Sequence, residues 1–224
     1  MEKKGRIVIA CGGMKAELEK QQPERYGVKM HYMPQNLHRT PEKLTLMLQK
    51  AIDEAAEEAK EIVLGYGLCS NGVVGLRAPR QGLYIPRVHD CITLYLGSRE
   101  KYQKIFSEQP GTYYLTPNWI DNRKDPLGLA EHEYTRRVGP NAAFETMEWE
   151  LKNYTHISFI DSIPEKRSTY REIARNNARR FGKRYIEIPG KETFFRKIIF
   201  GPWDDQNFVY VNPHEISKQK DFIK

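Results

Sequence analysis

Residues 6–13 read RIVIACGG, an apolar run that stops at a cysteine and two glycines. A short apolar run closed by a turn signal is the pattern of a strand buried on both faces. Outward from it the same phrase repeats as strand, loop and helix. Residues 14–22 can be helical, Val28–Met33 is a second strand, and Pro41 opens a helix to about residue 60. Leu44, Leu48, Ile52, Ala55 and Ala59 share one face of that helix, Pro41 suits its first turn, and Thr40 stands where an N-cap belongs. Residues 61–66 form a third strand and Leu83–Pro86 a fourth. A helix over 91–106, a β run at 112–116 and a polar stretch at 117–127, the natural candidate for a lid, come next. They are followed by a helix over 131–153 broken near Gly139-Pro140, a strand at 156–160, a helix at 165–181, a strand at 184–188, a helix at Thr193–Phe200 and a last strand at Phe208–Val211.

Alternating strands and helices predict an α/β fold, a mainly parallel sheet with helices on both faces. The length suits a single domain over 1–224, with a site-bearing half at about 1–120 and a C-terminal α/β half at about 121–224 that can form a smaller lobe. A chain of this size buries a real core without needing a disulfide or metal to hold it. The formal charge of +7 reads first as a solvated Lys/Arg-rich surface, and second as a field for an anionic ligand or acidic partner. No zinc finger, RNA-recognition signature or continuous basic helix points to nucleic acid. The opening MEKKGRIVIACGG has no signal-peptide pattern and no segment is long enough to span a membrane, which predicts a cytosolic protein.

Three cysteines in a reducing compartment are buried thiols, nucleophiles or metal ligands rather than a disulfide framework. Each follows a strand: Cys11 in ACGG, Cys69 in GYGLCSNG, Cys91 in PRVHDC. His38, in LHRTPE, has the equivalent place after the second strand. In parallel sheets such loops gather at one edge, where ligands bind. The expectation is therefore a shared metal site with Cys11, Cys69 and Cys91 as ligands and His38 as fourth ligand or acid/base. Independent structural thiols and a metal-free nucleophilic cysteine are the alternatives. Paired Cys-x-x-Cys knuckles of structural zinc are absent, leaving catalytic Zn2+ or a [4Fe–4S] cluster with a free iron. Gly12, Gly67 and Asn71 can line the cofactor; backbone N–H groups at such glycines tune clusters and favour that option. Asp90 beside Cys91 can provide a proton, with His89 next to it, and Arg87 can fork a carboxylate or phosphate of a small-molecule substrate.

The stretches IACGGMKAEL, MPQNLHRTPEKL, GYGLCSNGVVGL, PRVHDCITLYLGS and GTYYLTPNWI together resemble the DUF1638 family, in order and over roughly the first 120 residues. The family pattern has cysteines at the positions of Cys11, Cys69 and Cys91, and a His-x-x-Pro-Glu at His38, Pro41 and Glu42. Many members have His-Cys-Tyr where this chain has His89-Asp90-Cys91-Ile92, which departs from the pattern at His89. The resemblance implies a setting beside corrinoid proteins and corrinoid-dependent methyltransferases. On that footing the expected function is a metalloenzyme or accessory factor in corrinoid-linked methyl transfer. The alternatives are a [4Fe–4S] enzyme for sulfur abstraction or dehydration, and a non-enzymatic corrinoid-protein partner or metal carrier.

Overall fold

A computed structural model of the chain describes residues 5–35, 37–163 and 167–222. Two compact units divide it: Met1–Ser98 with Glu192–Lys224, and Arg99–Lys191. The smaller unit is thus inserted in the chain rather than appended after residue 120. The reason is local. The expected helix over 91–106 is two helices, α3 (Cys91–Leu96) and α4 (Arg99–Glu108). Gly97 separates them at φ 76°, a left-handed conformation that glycine adopts without strain, and its N–H closes α3 on the Thr93 carbonyl.

The first unit is built on β1 (Arg6–Cys11), β2 (Val28–Met33), β3 (Glu61–Gly65), β4 (Leu83–Pro86) and β8 (Phe208–Val211), in the order β2-β1-β3-β4-β8. The first four run parallel and β8 is antiparallel to β4. β1 is central, and Ile7, Val8, Ile9 and Ala10 are all buried, as the uninterrupted apolar run requires. Successive side chains take opposite faces. Ile7 and Ile9 share a core with Ile62, Leu64 and the Leu44, Leu48 and Ile52 stripe of α2 (Pro41–Glu58). On β3 also packs α10 (Thr193–Phe200), which touches α3 and the short α1 (Lys15–Glu19). Thr40 does precede α2, but its side chain makes no capping bond; its own N–H bonds Leu37 O at 2.9 Å.

The second unit carries a parallel sheet in the order β5-β6-β7, from β5 (Thr112–Leu115), β6 (His156–Asp161) and β7 (Arg184–Pro189). α9 (Arg167–Arg180) packs on β6 and β7, and Tyr170, Ala174 and Ala178 join Leu115, Ile157 and Phe159 in its core. The expected start of α9 at residue 165 lies outside the described residues. The polar stretch 117–127 is not an open loop. It begins as α5 (Pro117–Asp121), capped by the Thr116 hydroxyl, and ends where Asp125 caps the next turn at Gly128 N–H. The helix expected over 131–153 breaks at Gly139, before α8 (Pro140–Glu150). Among the described residues, no helix is long and apolar enough to cross a membrane.

Candidate functional site

The strand order reverses at β1, whose neighbours are β2 on one side and β3 on the other. Loops leaving β1 and β3 at such a point diverge to opposite faces, and a crevice opens between them beyond the carboxyl ends of the strands. Cys11 ends β1, paired with Met33 of β2, and its sulfur accepts the Gly13 N–H at 3.4 Å. The turn after it is held from outside, because the buried Tyr95 hydroxyl donates to Gly13 O at 2.6 Å.

Tyr66 follows β3 directly and is 3% exposed. Its hydroxyl faces the Cys11 sulfur, and burial followed by the nearby thiols pushes its pKa far up. Among the described residues the Cys11 thiol, a weak acceptor, is its one partner, and no atom meets that hydroxyl in good hydrogen-bond geometry. A second buried donor lies at the same end of the sheet. The Gln35 amide nitrogen is unpaired, and it and the Cys11 sulfur both crowd the bare Cα of Gly13, at 3.7 and 3.4 Å from where a Cβ would stand. Buried polar groups are normally well satisfied, so a weakly paired hydroxyl and an unpaired amide nitrogen at one end of the sheet need an explanation.

The β3 and β4 loops lie side by side, joined by Leu68 N–H to Val88 O at 2.9 Å and Cys69 N–H to His89 O at 3.1 Å. Cys69, Ser70 and Asn71 then take three consecutive left-handed conformations, at φ 45°, 57° and 67°. For L-residues this costs about 1–2 kcal/mol each, and such strain clusters where function demands it. Ser70 is exposed and has no glycine-like freedom. Ser70→Gly is expected to stabilise the protein by about 1 kcal/mol in urea denaturation, the steric cost at that position being relieved.

Burial raises the pKa of all three thiols: Cys11 first by burial, Cys91 by burial and then by Cys69 and Asp90, and Cys69, pushed up to about 12, by burial and then by Asp90. The thiols are therefore protonated at neutral pH. A thiol ionising late in the folded state favours folding fully at pH below its unfolded value, near 9. That contribution is lost as pH rises through the folded value. Stability is expected to fall as pH rises between about 9 and 12, because over that window the unfolded chain releases the Cys69 proton and the folded chain keeps it. Denaturant titrations across that window check it, with Cys69→Ala expected to flatten the fall.

The metal expectation is corrected here. Among the described residues, no three His, Cys, Asp or Glu side chains are grouped so as to hold a metal ion. Cys11, Cys69 and Cys91 share an electrostatic environment around Tyr66 without sharing a coordination sphere, and two of the sulfurs are turned to backbone donors: Cys11 to Gly13 N–H, Cys69 to the N–H groups of Gly67 and Cys91. His38 does not join them. It sits in the turn Leu37–Arg39, where burial and the Arg39 charge lower its pKa. The zinc, iron–sulfur and metal-carrier readings fall with this finding, and so does the metal-dependent enzyme built on them.

The other candidates have structural employment. Asp90 caps α3, accepting Ile92 N–H at 3.0 Å and Thr93 N–H at 3.3 Å, and raises the pKa of exposed His89 by hydrogen bonding. Arg87 is 6% exposed, and its guanidinium donates to the carbonyls of Asp205, Phe208 and Asp221 rather than waiting for a substrate. A Cβ on Gly12 would stand 2.9 Å from Met33 O, and one on Gly67 would stand 2.8 Å from Val88 O. Both glycines therefore allow chains to pack closely. Asn71 is exposed in the strained turn. Sequence reading passed over Tyr66 and Gln35. The available signal was position: Tyr66 directly follows β3 and Gln35 stands two residues past β2, both at the strand ends where the cysteine loops begin.

A family model described as "Protein of unknown function (DUF1638)" matches residues 32–199. No curated protein and no solved structure matches the chain.

Proposed function

Because the chain belongs to the DUF1638 family, whose description names no activity, its role has to be read from its site, and we propose that it binds a small neutral molecule through a hydrogen-bond acceptor in the crevice beyond β1 and β3. One observation carries this reading: the Tyr66 hydroxyl, buried at the sheet's switch point, finds among the described residues only the Cys11 thiol, a weak acceptor, and no partner in good hydrogen-bond geometry. An unsatisfied buried hydroxyl costs about 1–3 kcal/mol, which a ligand acceptor would recover. The Gln35 amide nitrogen, beside the Cys11–Gly13 turn, is a further donor at this end of the sheet. Charge selects the class. Asp90 is the fixed charge that acts most on Cys69 and Cys91, and it raises both. A carboxylate or phosphate entering such a site would meet negative charge and neutral thiols, whereas a neutral carbonyl, amide or alcohol meets donors. The corrinoid setting implied by the resemblance adds nothing to this reading, which rests on the site.

The test is ligand-observed NMR with a panel of small amides, alcohols and aldehydes against matched carboxylates. Neutral compounds are expected to bind and carboxylates not to; Tyr66→Phe is expected to abolish binding. The same variant is expected to be at least as stable as the native chain, because the hydroxyl it deletes is buried with only a thiol for a partner. Binding of carboxylates in preference, or binding indifferent to Tyr66→Phe, would overturn the proposal.

A further inference from the structure

β8 is the outer strand of its sheet and pairs on one side with β4. Arg87 N–H bonds Asn207 O at 2.7 Å, which sets the phase of that ladder. Val209 and Val211 therefore turn their backbone groups to β4, and Tyr210 turns its own outward. Among the described residues, no backbone group pairs with the Tyr210 N–H or C=O. Sheet edges are normally blunted by a charge, a proline or a bulge, because an open edge is a template for another strand. β8 reads FVYV in unbroken register and has none of these.

A second strip of open backbone lines the same groove. Ile216 bridges Arg77 in antiparallel fashion, flanked by Ala78 N–H to Glu215 O and Ser217 N–H to Leu76 O, both at 2.9 Å. The Ile216 N–H and C=O are thus turned away from Arg77, and among the described residues no backbone group takes them either. Tyr210 and Ile216 are also large and exposed, and both line a groove of about 580 Å3. We propose that this groove binds a short, extended, uncharged segment of a partner protein, which adds as a strand between Tyr210 and Ile216.

The walls define the occupant. Two rows of main-chain donors and acceptors are matched by an extended backbone, which has both kinds of group along both edges, whereas a helix uses its own internally. Charge decides the side chains. Arg87, Lys218 and Lys220 are balanced by Asp205, Glu215 and Asp221 around the groove. A strand of either charge sign meets as much repulsion as attraction there, so the complement is uncharged. Length is limited at one end, where Phe208 O already accepts Arg87 Nη2 at 3.1 Å. The Tyr210 ring, stacked on Tyr84 at 4.8 Å, offers a cross-strand neighbour that favours β-branched residues.

The probe is an acetyl- and amide-blocked pentapeptide alternating threonine and valine, added to the full 15N-labelled chain and followed by amide NMR. The Tyr210 and Ile216 amides are expected to shift and to exchange their hydrogens more slowly. The same peptide N-methylated at alternate residues keeps its side chains but loses donors along one edge, and is expected to bind about tenfold more weakly. Versions with lysine or glutamate in place of threonine are expected to bind more weakly than the uncharged one. Tyr210→Pro deletes the outward N–H at a position where proline is tolerated, because the β4 ladder does not use that nitrogen, and is expected to lose binding. Tyr210→Phe keeps the backbone and is expected to retain it. No binding, equal binding of the methylated peptide, shifts confined to other strands, or tighter binding of a charged peptide would overturn the proposal. Protection of Tyr210 and Ile216 that grows with protein concentration without peptide would assign the groove to a second copy of the chain, and would overturn it as well.

Discussion

Arg87→Met is expected to destabilise the protein by about 3–5 kcal/mol, the usual consequence of removing one partner from a buried charged network. The residue was a candidate for gripping a substrate anion, yet its guanidinium is fully engaged. Nε donates to Asp205 O at 3.0 Å, Nη2 to Phe208 O at 3.1 Å, and Nη1 to Asp221 O. These carbonyls come from the turn before β8, the first residue of β8, and the segment that delivers buried Phe222 to the core. Deleting the guanidinium leaves three acceptors without their donor and frees the strand that closes the sheet. Arg87→Lys is expected to fall between the two, since one ammonium cannot span three carbonyls in a planar fork. Urea denaturation measures the loss, and limited proteolysis is expected to cut first after β8. A loss below about 1 kcal/mol would mean that the carbonyls find water instead, and would return Arg87 to the list of free cations.

How legible this was follows from what each feature depends on. The strands were legible because burial on both faces leaves uninterrupted apolar runs, as in residues 6–10, and the observed β1 extends that run only to Cys11. Cysteines past three strand ends could likewise be seen, since loop position follows from element boundaries. Whether three sulfurs form a coordination sphere depends on where each thiol turns. That is decided by backbone donors such as Gly67 and Cys91 N–H, which no spacing rule encodes. Tyr66 was hidden for a related reason. A tyrosine at a strand end reads as packing, and only three-dimensional accounting shows that its hydroxyl has no better acceptor than a thiol. The insertion was missed because Gly97 ends a helix within a pattern whose apolar period continues across it. An odd conformation at one residue moved the unit boundary by about twenty positions.

Asn177→Leu is expected to cost about 2–4 kcal/mol although it adds apolar volume to a buried position, since it would strand the buried groups that Asn177 serves. The side chain, on α9 and fully buried, works in two directions. Its Oδ1 accepts Leu127 N–H at 2.8 Å, and its Nδ2 donates to Asp125 Oδ2 at 2.7 Å and to Ile173 O at 3.0 Å. Asp125, itself 4% exposed, uses the same oxygen to accept Gly128 N–H at 3.2 Å. Leucine would leave a buried carboxylate with one donor fewer and a backbone N–H with none. The segment 117–127, read from its polarity as a lid, is thus anchored through its end to α9. Asn177→Asp discriminates charge from shape. It keeps the acceptor for Leu127 but sets a second carboxylate against Asp125, and stability is then expected to recover as pH falls and one of the pair is protonated. Thermal unfolding at pH 5 and pH 8 reads the difference. A pH-independent loss in Asn177→Asp would show that the cost is packing, and that the amide holds the segment without balancing the charge.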